Sequence, residues 1–401
     1  MRVLNSDVIV VGGGIVGCSA AMFLADAGMD VNLLDRGEIS GEASGLNAGS
    51  IGGYGWGRSP GLQEHLTMGS LDIFKSLQIE KGYDIEFRQS GSLVAIQSLN
   101  QYEYAQERVS YLKSEGMQVE ILSPSEAKSY EPNLNGDLNG YMYSSYRGQA
   151  DPIKSTRAFS EVAKNNGAII TASAPVTSLE QAGQGWIVRS HNRVFNCQAL
   201  LIATGAWTSE IGNMIGLNIP IQPVRGQMWA TDSIPPRIFH TISSMESSEY
   251  WHKNPIVNED SPPELTHNGD SRVTRHLYGR QRANGEVIFG GDRELLGFRD
   301  DVSFTGIEVN KTHAGEILPF LDQLSVKRTW SGIMPFSPDG LPLIGRIEQY
   351  ENLFLATGLG SSGFGRGPGS GMLVADLIVR GEGHPALQES IPTRLIEEIR
   401  R

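Results

Sequence analysis

The 401-residue sequence predicts an α/β protein, in which a doubly wound parallel-sheet domain, discontinuous in sequence, carries an inserted, mostly β (α+β) domain. Three observations lead there. Residues 7–36 read as strand, glycine turn, helix and strand; residues 352–379 read as strand, glycine turn and helix again; strand-like segments dominate 221–330 between them. The boundaries that follow place 1–85, 150–220 and 335–401 in the first domain and 86–149 and 221–334 in the second.

Taken in order, "DVIVVG" (7–12) is the continuous apolar run of a strand buried on both faces. Residues 8–25 carry no charge and are long enough to span a bilayer. Their three consecutive glycines and the lone preceding Arg2 instead favour strand, turn and helix. "MDVNLLDR" (29–36) supplies the second strand, and helical periodicity follows at 62–78 and 101–116, with a strand pair expected in "EFRQSGSLVAI" (86–96). From 156 the pattern is a helix "TRAFSEVAKNNG", a strand "AIITASAPV", a hairpin "GWIVRSHNRVFNCQ" and the strand "ALLIATG". The later strands are "IQPVRGQMWAT", "VTRHLYGRQ" and "GEVIFGGDRE", with one helix near "THAGEILPFLDQL". The stretch 356–371, "ATGLGSSGFGRGPGSG", holds seven glycines and reads as a strand-to-helix turn, with the helix in "GMLVADLIV" (371–379).

Within "VVGGGIVG", Gly12, Gly14 and Gly17 satisfy G-x-G-x-x-G, with Ile15 and Val16 opening the helix. Gly12 permits the tight turn, Gly14 admits a pyrophosphate and Gly17 allows close helix–strand packing. Asp35, ending the second strand, can accept the ribose hydroxyls, and Arg36 follows it. This Rossmann-type site suits NAD or FAD. The long small-residue loop 37–58 that comes next, where further strand–helix units would continue a nicotinamide dehydrogenase, favours FAD.

With 33 basic against 45 acidic residues, the net charge of −12 argues against nucleic acid as a partner. Cys18 and Cys197 show neither metal spacing nor a disulfide framework, which fits a reducing, cytoplasmic compartment; the eight scattered histidines show no ligand spacing, so no metal is expected.

These residues resemble the D-amino-acid oxidase family of flavoproteins, in particular its glycine oxidase and sarcosine oxidase branch. The likeness runs through "DVIVVGGGIVGCSAAMFLADAG", "VNLLDR", "EASGLNAGSI", "GSLVAI", "QADPIKSTRAF", "LLIATGAWTSEI", "PVRGQM", "LYGRQRANGEVIFGG", "WSGIMPFSPDGLPLIG" and the glycine stretch. It implies that Ser44, Asn47, Ala48, Gly49 and Ser50 line the flavin, and that Val176 meets the adenine through its backbone. Thr204, Gly205 and Trp207 would pass near the cofactor, and Gly360, Ser361, Ser362, Gly363 and Phe364 would turn backbone N–H groups toward the isoalloxazine ring. The implied reaction is oxidation of an amine or amino-acid C–N bond, with hydride passing to flavin N5 and the imine hydrolysing after release. FAD would be noncovalent, the acceptor oxygen or a quinone or other electron carrier, and no transmembrane segment is expected. Oligomerisation and peripheral membrane association stay open. Alternatives are a 2-hydroxy-acid dehydrogenase of the L-2-hydroxyglutarate kind, or a flavin-holding subunit of a larger complex.

The sequence departs from the family where the substrate is gripped. Family members acting on free amino acids often carry an arginine in a W-x-G-x-R-P segment; here "WSGIMP" puts Met334 there. Tyr278 matches a tyrosine that caps the pocket in the glycine oxidase branch. The candidate replacement cations are Arg58, Arg280, Arg366 and Arg225.

Overall fold

The computed structural model describes residues 2–52, 60–191, 193–246, 263–273 and 276–398. Arg2–Val11 runs parallel to Arg193–Ile202 on one side and to Val31–Leu34 on the other. Ile169–Thr171 and Leu353–Thr357 extend the parallel order outward, and Leu343–Arg346 closes one edge antiparallel. The hairpin Val176–Ala182/Gly185–Ser190 continues from Arg193–Ile202 to complete this eight-stranded sheet. The strands are apolar on both faces because both are covered. Ile15–Asp26, Pro152–Asn165 and Gly363–Arg380 pack one face, while Trp186, Phe195 and Ile211 belong to the core on the other.

The second eight-stranded sheet has the order Arg328–Phe336, Gln222–Ala230, Val287–Gly290, Tyr278–Gln281, Thr241–Ser244, Ser92–Ile96, Gly140–Ser144, Val119–Leu122. All its pairings are antiparallel except that of Thr241–Ser244 with Ser92–Ile96. Side chains alternate across it: Leu93, Ala95 and Trp229 enter the core beneath the helix Phe304–Ile317, whereas Val94, Met142 and Met228 face a cavity. Thus one sheet carries the glycine turns and the other walls the space above them.

Several segments differ from the sequence reading. In 86–96 there is one strand, Ser92–Ile96, preceded only by an isolated bridge at Arg88. "AIITASAPV" breaks after Thr171, where Ser173 takes φ 52° and returns the chain toward the hairpin. The late helix begins at Phe304, capped by Ser303 Oγ accepting from Gly306 N, and Pro319 opens a separate 3-10 turn. "VTRHLYGRQ" is a strand only over Tyr278–Gln281, with Thr274 and Arg275 outside the described residues.

The C-terminal glycine stretch differs most. The helix spans Gly363–Arg380, so only residues 358–362 form the turn. Its glycines are contact points rather than hinges. A Cβ on Gly367 would lie 2.5 Å from the Ile15 side chain, one on Gly369 3.0 Å from Leu66 O, and one on Gly371 2.2 Å from Ser19 Oγ. Ser70 Oγ accepts from Gly369 N at 2.8 Å, tying this helix to Pro60–Ile79. Among the described residues no helix is long and apolar enough to cross a membrane.

Candidate functional site

A cavity of about 950 Å³ extends between the two sheets. One end is the N-terminal turn. A Cβ on Gly12 would meet Ala203 O at 2.3 Å, and one on Gly17 would meet Gly12 O at 1.9 Å, so the glycines are dictated by backbone approach. At Gly14 a Cβ would reach only Ser44, Oγ at 3.0 Å, within 4 Å, and this glycine lines the cavity with Gly12, Ile15 and Val16. Gly17 does not line it, matching its packing role.

Asp35 accepts from Gly13 N at 2.5 Å and from Gly37 N at 2.7 Å while still lining the cavity. Its carboxylate therefore braces the turn as well as facing the ligand end. Arg36 lies over the Trp207 ring, 3.7 Å from its centroid, and donates to Glu42 at 2.6 Å. Val176, Thr204 and Gly205 complete this end.

Of the loop residues that the resemblance assigns to the flavin, Ser44, Asn47 and Ser50 line the cavity, whereas Ala48 and Gly49 do not. Gly360, Ser361, Ser362, Gly363 and Phe364 form the opposite wall. Two helix N-termini, at Gly14 and Ser362, thus open onto one space, and neither helix has an acidic residue in its first turn. Their dipoles and free N–H groups favour negative charge there. These features fit a dinucleotide with its pyrophosphate at the first helix and an electron-accepting ring at the second. Asp35→Ala is expected to weaken retention of that dinucleotide about tenfold or more, because two turn amides lose their acceptor as well as the ligand. Equilibrium dialysis of the variant checks this.

Beyond the ring wall the second sheet contributes Tyr278, Met334, His276 and Arg293. Tyr278 OH accepts from Ala48 N at 3.3 Å, and burial raises its pKa. His276 is held well below the usual histidine range by burial and by the nearby Arg293 cation, so it is neutral. Arg293, 1% exposed, donates from Nη2 to Ser361 Oγ at 2.6 Å and lies 5.7 Å from the Phe336 ring centroid. A Cβ on Gly226 would lie 3.0 Å from Met334 Cε and 3.2 Å from Asp292 O, so Met334 and the carbonyl preceding Arg293 both border Gly226.

The cations expected from sequence divide sharply. Arg280 does not line the cavity: its guanidinium donates to the carbonyls of Ala48 and Ala150 and to Gln149, which makes it a scaffold and corrects its reading as a substrate anchor. Arg225 is paired with Glu294 in the core. Arg366 does line the cavity, donating from Nε to Thr67 Oγ1 at 3.3 Å. Arg58 lies outside the described residues. Sequence reasoning missed Arg293, His276, Arg147 and the face Tyr104, Arg108 and Leu112. That face was findable, since the three residues stand four apart on an expected helix. Both cysteines are buried, Cys18 in the first helix and Cys197 in a central strand.

The chain matches the family described as FAD dependent oxidoreductase (DAO) over residues 7–377. It is 27% identical to mouse (Mus musculus) mitochondrial dimethylglycine dehydrogenase, covering 97% of this chain and 44% of that protein. The chain therefore spans less than half the length of such relatives. It is 26% identical to glycine oxidase of Bacillus licheniformis, covering 96% and 95%. The crystal structure of glycine oxidase from Geobacillus kaustophilus superposes with a TM-score of 0.84 at 25% identity, covering 98% of this chain and 99% of that one.

Proposed function

Because the chain belongs to the FAD dependent oxidoreductase (DAO) family, we propose that it oxidises the C–N bond of an amine or amino acid at the Tyr278–Met334 end of its cavity. The observation carrying this reading is that one cavity is lined by the Gly12–Gly14 turn, by the Gly360–Phe364 turn and by Tyr278, His276 and Met334.

FAD, when bound, supplies the electron sink for a hydride from the substrate's α-carbon. The residues of the chain then have three tasks. Gly12, Gly14, Asp35 and the two helix N-termini hold the dinucleotide. Tyr278, fixed through Ala48, and the apolar Met334 shape a dry wall that orients the reacting carbon. Arg293 attracts a substrate carboxylate and disfavours an ammonium beside it, so the amine sits there as the free base. His276 and Tyr278, both uncharged, add no competing charge.

Arg293 thus takes the cationic role that position 334 lacks. Met334→Arg would add a second guanidinium to the same cavity, and the expected result is a kcat/KM lowered by about 10–100-fold rather than improved small-amino-acid turnover. Steady-state kinetics of the variant on glycine and sarcosine read this out.

The electron acceptor, oxygen or a carrier, and a cytoplasmic location belong to the same proposal; the two buried free cysteines support the latter. The reading as a whole is tested by anaerobic flavin bleaching with amines, amino acids and 2-hydroxy acids, followed by assay for ammonia or alkylamine. Bleaching by hydroxy acids alone would overturn it.

A further inference from the structure

The far end of the cavity, away from Arg293, is lined by two more guanidinium groups. Arg147 follows the strand Gly140–Ser144, and its one hydrogen bond among the described residues runs from Nη1 to Ser92 Oγ at 3.2 Å. Its Nε is buried with no partner. Arg108 reaches the same end from the helix Leu99–Ser114, its guanidinium carbon 5.5 Å from the Tyr111 ring centroid. Neither is paired with a carboxylate among the described residues. The acidic side chains lining the cavity lie elsewhere: Asp35, Glu42 and Glu210 at the dinucleotide end, and Asp292, which accepts from Asn310 at 3.2 Å and whose carboxyl is pushed up to about 8 by burial and by Glu294.

For Arg147, whose Nε is buried with no partner, that arrangement is costly and an anionic ligand offsets the cost; Arg108 is part-buried and adds a second positive charge at the cavity rim. We propose that Arg147 and Arg108 form a second anion subsite, so that the substrate is an amino or imino acid whose side chain or N-substituent ends in a further carboxylate. This rests on the C–N oxidation reading above. The sheet order gives the spacing. Four strand steps separate Val287–Gly290, which leads into Arg293, from Gly140–Ser144, which leads into Arg147; at ~4.8 Å per step the two backbones stand about 19 Å apart. Two arginines reaching inward across that span bracket an elongated dicarboxylate, with the reacting carbon nearer Arg293. A short substrate such as glycine leaves the second subsite unused.

The test uses FAD-loaded wild type, Arg147→Met, Arg147→Lys and Arg108→Gln, each retained only if it keeps the wild-type flavin spectrum. Anaerobic flavin reduction is measured with α-aminoadipate against its ω-amide, and with N-(carboxypropyl)glycine against its amide. The wild type should prefer the acids by about 10–100-fold in apparent affinity, with the limiting reduction rate little changed. Arg147→Met should erase that preference, Arg108→Gln should reduce it and Arg147→Lys should keep part of it. Equal use of acid and amide by the wild type, or an acid preference surviving in both Arg147→Met and Arg108→Gln, overturns the subsite. Adipate, which has no C–N bond, separates the two proposals. A saturable adipate-induced change in the flavin spectrum that is lost in Arg147→Met supports the subsite even if no amine reduces the flavin. An adipate response identical in wild type and Arg147→Met counts against it, whatever the amines do.

Discussion

Replacing Arg293 by glutamine should lower kcat/KM by about 100–1000-fold for whichever amino acid bleaches the flavin fastest. The side chain is 1% exposed and fixed to Ser361, so it cannot be replaced by a solvated neighbour. A substrate carboxylate brought to that place without its cation loses a desolvated charge pair, a change worth about 2–5 kcal/mol. Ser361 lines the cavity in the turn proposed to face the isoalloxazine, where the same cation would favour negative charge on the reduced ring, so the rate should fall as well as the affinity. Arg293→Lys should recover part of both. Stopped-flow reduction separates them, and unchanged kinetics in Arg293→Gln would place the carboxylate elsewhere.

The second large effect is structural. Gly371→Leu should cost about 3 kcal/mol or more, because a Cβ there would lie 2.2 Å from Ser19 Oγ and 2.7 Å from Ala20 N, and a backbone amide cannot move aside. Val379→Ala, at a 43% exposed position of the same helix, should change stability by less than about 1 kcal/mol. Thermal unfolding followed by released-flavin fluorescence distinguishes the two, and equal midpoints would show that the two helices can part at little cost.

The first sheet was legible because its signals are local. An apolar run, a glycine spacing and an acid ending the next strand all fall within 7–36, and the structure holds them in one strand–turn–helix–strand unit with Asp35 bound to Gly13 N. The extent of the last helix was not legible, since seven glycines argue for a turn on propensity alone. Only the partner surfaces, Ile15, Ser19 and Leu66, explain why a helix needs them. The cations failed for a related reason. Arg280 and Arg293 stand thirteen residues apart in neighbouring stretches, yet one is consumed by the carbonyls of Ala48 and Ala150 and the other opens onto the cavity. Arg280 lies within a strand and Arg293 three residues past the end of one, so their fates are set by packing that no short motif encodes.

Arg280 has a wider meaning for how the molecule comes apart. It belongs to a strand of the second sheet, but its partners are Ala48, in the loop after the second strand of the first sheet, and Ala150, at the entry to a helix packed on that sheet. Burial lowers its pKa only to about 10, so it is charged at neutral pH. Separating the two halves would strand a cation and two carbonyls at once. Parting the sheets at Arg280 therefore carries that cost, and a change there would be felt by the Ala48 loop and the second sheet together.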